Sequence, residues 1–216
     1  MIDYIWRVND LDVYYTNETN GGGDYFAIEY IDVVREGYGT VDHTLEWCSG
    51  PGFIGYGMLA SDLCNNISFV DMHNPAILML ERTKQYSKYA DNINIYEGNT
   101  LECVPNNQQF NLIVGNPPHW KDVERAANSL GLDIMHHAHI LEILVDDHWN
   151  AHSDFFKRIK ALLSNNGSVL LQENYAGSSP EDFEQMVDDA GLKINFTADS
   201  RMYADKGIYY ISVGHK

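Results

Sequence analysis

From residue 43 to the C-terminus, short apolar runs alternate with stretches of helical character, and this alternation limits the possible folds more than any other feature. Residues 43–48, 67–71, 93–96 and 112–115 are runs of strand length bounded by turn residues, and 168–173, 192–198 and 207–213 continue the series. Predicted helices fall near residues 53–65, 75–89, 136–163 and 178–190. Pro75 suits a first helical turn, Ser178-Ser179-Pro180-Glu181 opens the last helix, and Gly191 stops it. This order predicts an α/β domain with a seven-stranded, mostly parallel sheet and helices on both faces. Residues 1–40 stand outside the pattern. They are polar and aromatic, with a loop signal at Asn20-Gly21-Gly22-Gly23 and apolar Ile28, Ile31 and Val34 at helical spacing, a stretch that also admits a strand. We read 1–40 as an N-terminal extension able to cover a ligand, and 41–216 as the main domain.

Two loops after predicted strands carry chemistry. Gly50-Pro51-Gly52-Phe53-Ile54-Gly55 links the first strand to the first helix, and Asp71 ends the second strand. Glycines allow close backbone approach to a nucleotide, and such a carboxylate binds ribose hydroxyls. A nicotinamide dinucleotide would account for these residues, as would S-adenosylmethionine. The second loop, Asn116-Pro117-Pro118-His119, follows Leu112-Ile113-Val114-Gly115. Proline fixes its own φ and biases the residue before it toward extended backbone, so this loop is stiff. The amide oxygen of Asn116 and the carbonyl of Pro117 then form two acceptors suited to the hydrogens of an amino group. A nicotinamide site does not explain them.

These residues resemble the S-adenosylmethionine-dependent methyltransferases of the Rossmann-like class. The nearest likeness is to the "small domain" N-methyltransferases, which include enzymes acting on glutamine of release factors and on adenine N6. Residues 45–55 look like their first motif, 70–75 their second, 97–101 their third, and 110–118 their fourth, an Asn-Pro-Pro followed by Tyr, Phe or Trp. The resemblance implies a Rossmann-like methyltransferase fold whose last strand is antiparallel, with S-adenosylmethionine as cofactor. It implies cofactor contacts from Glu46, Cys48, Gly50, Gly52, Asp71, Met72, Asn99, Thr100 and Asn116. Asn116 and Pro117 would be catalytic, holding the acceptor nitrogen toward the methyl group, while Pro118, His119 and Trp120 would meet the substrate. Asn99 stands where the family usually has Asp, and His119 where it has a flat aromatic ring. For Glu46 the alternative is a carboxylate capping the helix that follows; Met72 serves equally as a core residue.

The formal charge of −17, from 31 acidic and 14 basic residues, disfavours nucleic acid, since binding to phosphates depends on basic side chains. The expected reaction is therefore methylation of an amino group on a protein side chain or small molecule. Alternatives are adenine N6 methylation on nucleic acid, a non-catalytic cofactor-binding subunit and, more remotely, a nicotinamide reductase. Three cysteines without C-x-x-C spacing, no secretory leader and no membrane-length apolar run lead us to expect a cytoplasmic protein without a structural metal. His148 and His152 lie four apart and would share a helix face. Imidazole and carboxylate ligands in residues 136–152 could form a metal site, but helical histidine pairs are common without metal and no H-E-x-x-H is present; the alternative is that the stretch lines the substrate pocket.

Overall fold

A computed structural model describes residues 3–19 and 23–216. The main sheet comprises β3 (Val41–Trp47), β4 (Cys64–Asp71), β5 (Ile93–Glu97), β6 (Phe110–Gly115), β7 (Leu163–Asn174), β8 (Leu192–Asp199) and β9 (Ile208–His215). Its strand order is β5-β4-β3-β6-β7-β9-β8. β9 pairs antiparallel with both β7 and β8, and the pairings among β5, β4, β3, β6 and β7 are parallel. The seven strands, the parallel majority and the antiparallel last strand are as expected. Leu45, Ile67, Phe69, Leu112, Ile113 and Val114 are fully buried because helices cover both faces, so these strands read as continuous apolar runs.

The helices are α1 (Gly23–Gly37), α2 (Phe53–Ala60), α3 (Asn74–Tyr86), α4 (Val123–Leu130), α5 (Ala138–Leu144), α6 (Asn150–Leu162) and α7 (Pro180–Asp189). The expected loop at Asn20-Gly21-Gly22 lies outside the described residues, and Gly23 opens α1. The stretch that admitted helix or strand is helix.

Two sequence expectations need correction. The helix read over 136–163 is two helices, because His148 and Trp149 adopt left-handed backbone at φ 54° and 60°. His148 therefore lies outside α6 and shares no helix face with His152. β7 begins before Asn165-Asn166-Gly167 rather than after it, with a register shift opposite Phe110 and Leu112 that absorbs the polar residues. A Cβ at Gly167 would lie 2.7 Å from the Phe110 carbonyl oxygen, so glycine is what lets the two strands approach there.

Ahead of the sheet, β1 (Asp3–Val8) and β2 (Leu11–Thr16) form an antiparallel hairpin. Leu11 and Val13 of β2 and Ala27, Tyr30, Ile31 and Val34 of α1 join the same core cluster as α2 and β4. Trp6 and Tyr15 meet Phe53 edge-on at 5.6 and 5.2 Å between centroids. Tyr30 reaches furthest: its hydroxyl accepts the Gly115 N–H at 3.1 Å and donates to the Leu170 carbonyl. The N-terminal segment thus secures the strand end that carries Asn116.

Candidate active site

Strand order reverses between β3 and β6, where connections leave in opposite directions and a crevice opens beyond the strand C-termini. A cavity of about 460 Å³ lies there. Glu46, Cys48, Gly50, Asp71, Met72, Asn99, Thr100, Asn116, Pro117, Pro118 and His119 all line it. Residues spread across four strand ends thus converge on one space. Two expected residues stand apart from it. Gly52, at φ 85°, opens α2, and a Cβ there would sit 2.7 Å from Leu80 Cδ2 and 2.9 Å from Phe69 Cε1, so its role is packing the loop onto the sheet. Trp120 is only 3% exposed and belongs to a small core with Ala126, Ala127 and Leu141, which keeps its ring out of the cavity lining.

The acids on β3 and β4 organise the glycine loop. Asp71 Oδ2 accepts the Gly50 N–H at 2.7 Å and Oδ1 accepts the His73 N–H at 2.8 Å. Burial raises the Asp71 carboxyl, and those two donors oppose the rise. Glu46 Oε2 accepts the Gly55 N–H at 2.7 Å, capping α2 as the alternative reading of that residue supposed. It also lines the cavity. Burial pushes its carboxyl up to about 8 against the Gly55 and Ile54 N–H groups, so Glu46 is largely protonated near neutrality. Met72 is 69% exposed, which removes the core reading and leaves an apolar side chain on the rim. Asn99 is an exposed lining residue, while Thr100 Oγ1 accepts the Glu102 N–H at 3.4 Å and caps a short turn. Burial, with Asp71, Asp146 and Glu173 nearby, holds the Cys48 thiol far above its usual range, so it is neutral.

Asn116 differs from every other lining amide. Its side-chain oxygen is sealed from solvent and has no hydrogen-bond partner among the described residues. An unsatisfied buried acceptor costs roughly 1–3 kcal/mol. The loop that carries it is held rigidly, because the His119 and Trp120 N–H groups donate to the Leu144 carbonyl and the Asp146 N–H donates to the Trp120 carbonyl. Ser49 Oγ, which sequence reading passed over, is a second buried and unpartnered oxygen in the lining. Nothing in its spacing distinguishes it from other loop serines.

The other wall comes from the α5–α6 connection, as one reading of residues 136–152 expected: Glu142 to Asp147 line the cavity. Behind it lies a buried chain of titratable groups. His119 Nδ1 meets Glu173 Oε2 at 3.2 Å, Glu173 Oε1 meets His152 Nε2 at 3.0 Å, and His152 Nδ1 meets Asp146 Oδ2 at 2.7 Å. Burial opposes charge on His152, yet Asp146 and Glu173 raise it to about 9. Burial would raise both carboxyls as well, but the hydrogen bonds they receive hold each below the ordinary range. At neutral pH the ring is therefore a cation between two carboxylates. No cluster able to hold a metal is present among the described residues.

The fold, with a nucleotide-type loop at the switch point, defines a Rossmann-like methyltransferase domain. The chain belongs to the methyltransferase small domain family, whose model matches residues 39–147. It is 27% identical over 139 residues to a bifunctional methyltransferase of Rickettsia typhi; the match covers 63% of this chain and 26% of that protein, so the chain spans about a quarter of its relative. Among solved structures, the T. Thermophilus 16S rRNA N2 G1207 methyltransferase is similar with a TM-score of 0.63 at 12% identity, covering 100% of this chain and 50% of that one. A glycopeptide N-methyltransferase gives 0.62 at 9% identity, covering 88% and 94%. The ribosomal protein L11 methylase of Lactobacillus delbrueckii subsp. bulgaricus gives 0.58 at 13%, covering 91% and 80%. No helix among the described residues is long and apolar enough to cross a membrane.

Proposed function

We propose that this domain transfers a methyl group from S-adenosylmethionine to an amino nitrogen of a protein side chain or small molecule. The cofactor supplies a methyl group on a positively charged sulfur. Several features fit such a molecule. Asp71 stands at the strand end for a ribose, and Met72 offers an uncovered apolar surface for a flat base. Ser49 Oγ and Asn116 Oδ1 are polar atoms lacking a partner. Glu18, Glu142, Asp147 and Asp154, all exposed, and Asp71 and Asp146, deeper, line the cavity beside a largely protonated Glu46, and no lysine or arginine does among the described residues. That lining favours a cationic donor and disfavours a polyphosphate backbone as acceptor.

The observation that carries the reading is the unpartnered Asn116 oxygen. A substrate N–H donated to it, and a second to the Pro117 carbonyl, would hold the nitrogen lone pair toward the methyl group. Both acceptors also stabilise positive charge as it grows on nitrogen, and neither must reorganise to do so. Glu18, Thr19 and Phe26 reach the cavity from the N-terminal segment, which supports the reading of that segment as part of its cover.

The test is Asn116→Ala. Turnover, followed by labelled methyl transfer, should fall at least roughly 10²-fold. Affinity for S-adenosylhomocysteine, measured by calorimetry, should stay within a few-fold. Unchanged turnover would remove Asn116 from the reaction.

A further inference from the structure

We propose that the acceptor is a protonated alkyl amine, and that His119 removes the proton that keeps its nitrogen from reacting. This rests on the reading of the site as an N-methyltransferase and adds the substrate class and a base. Amide and aromatic amino groups arrive neutral and need only orientation. An alkyl ammonium has no free lone pair, so a site that uses one must both attract a cation and take a proton from it.

The cavity meets both requirements. Its lining carries carboxylates and lacks lysine and arginine among the described residues, so a cation is drawn in. His119 is 9% exposed and lines the same space. Its Nδ1 is engaged by Glu173, a carboxylate held ionised by His119 and His152 against its burial. A carboxylate accepts, so Nδ1 carries a proton, and Nε2 is the ring nitrogen on which a lone pair can be exposed. Nε2 has no partner among the described residues and is not sealed from solvent, which leaves it open to the cavity.

Glu173 is itself fixed by several groups. It accepts from Ser178 Oγ at 3.1 Å and contacts His152, whose other nitrogen meets Asp146. Ser178 Oγ in turn meets the Tyr209 hydroxyl at 3.0 Å. Asp146 is anchored by the Ala151 and His152 N–H groups at 2.8 and 2.9 Å. Phe183 stacks on the His152 ring at 4.8 Å, and Trp47 and Trp149 meet it edge-on. With His152 charged and both carboxylates ionised, the buried group keeps one net negative charge beside His119. A proton on His119 cancels it. Gly177 presses on the same loop: a Cβ there would lie 2.1 Å from the His119 carbonyl oxygen. Glu173, His152 and Asp146 are thus positioning residues for the base.

The step balances simply. The ammonium N–H bond breaks and its proton passes to Nε2, freeing the nitrogen lone pair. That pair forms the N–C bond as the C–S bond breaks and its electrons return to sulfur. The methylated ammonium leaves, and His119 gives its proton to solvent.

The experiment offers the protein labelled S-adenosylmethionine with four probes: a lysine peptide, spermidine, a glutamine peptide and adenosine. Label should enter an alkyl amine. His119→Phe and His119→Gln should each lower kcat/KM by roughly 10²- to 10⁴-fold. Their residual rate should climb about tenfold per pH unit, as free amine is supplied by solvent. Added imidazole should partly restore His119→Ala, and all three variants should still bind S-adenosylhomocysteine. Label in the amide or in adenosine overturns the substrate class, and His119 variants within threefold of wild type overturn the base; either result leaves N-methylation intact. Absence of label from every probe, with S-adenosylhomocysteine still bound by the protein, counts against N-methylation itself as well as this inference.

Discussion

Replacing Glu46 with Gln should stabilise the protein by an amount that depends steeply on pH. Glu46 is 2% exposed, and its carboxyl is raised by burial from 4.5 to about 8. Its folded-state value lies above its unfolded value, so the acid binds a proton on folding. Its contribution is complete below about pH 4.5 and is lost as pH rises toward about 8. The slope is about 1.4 kcal/mol per pH unit, which sums to several kcal/mol over that window and to about 3 kcal/mol by pH 7. Glutamine keeps a carbonyl for the Gly55 N–H, made at 2.7 Å in wild type, and does not ionise. Urea unfolding of both proteins without ligand, from about pH 5 to about pH 9, measures the difference directly, because titrating groups not coupled to Glu46 cancel between them. The variant should gain on wild type through that range and level off above about pH 8. A difference that stays flat would mean that Glu46 ionises normally, and the electrostatic description of the cavity would then be wrong.

Two further substitutions probe how the loops are held. Gly55→Ala places a Cβ 2.6 Å from Phe69 Cε1 and 2.7 Å from Glu46 Oε2, so thermal unfolding should reveal a loss of about 1–3 kcal/mol together with weaker nucleotide binding. A variant as stable as wild type would show that the glycine loop can shift freely. Tyr30→Phe leaves the Gly115 N–H without its hydroxyl partner and should cost about 1–3 kcal/mol by urea unfolding, with turnover falling more than cofactor affinity. An unchanged midpoint would separate α1 from the Asn116 strand.

Much of the fold was legible in the sequence because strands buried on both faces leave uninterrupted apolar runs, and all seven main-sheet strands were located. The hairpin before them was not, since β1 is mostly exposed and its alternation is blurred by aromatic residues such as Tyr4 and Trp6. α4 also went unread, although Asp122 caps it and Gly131 ends it. Its side chains are mostly exposed, so the apolar stripe is narrow. At the site, Asp71 and Asn116 were legible because each lies at the C-terminal end of a parallel strand, Asp71 closing β4 and Asn116 following β6, a position that sequence order nearly determines. Gly52 and Trp120 matched a motif by spacing, but spacing does not say which way a residue turns. The chain from His119 through Glu173 and His152 to Asp146 was out of reach for another reason. It joins a loop, a strand end and a helix start that lie far apart in sequence, and left-handed backbone at His148 and Trp149 brings Asp146 onto the first turn of α6. His152 was noticed only for its spacing from His148, a pairing that the break before α6 dissolves.

Isotopically labelled methyl transfer, with the product's bond position read by NMR, decides whether this cavity methylates nitrogen from S-adenosylmethionine. The labelled methyl carbon should be attached to nitrogen, and its amount should fall at least roughly 10²-fold in reactions with Asn116→Ala. A methyl group attached to oxygen or carbon, or equal product from the Asn116 variant, would contradict this reading.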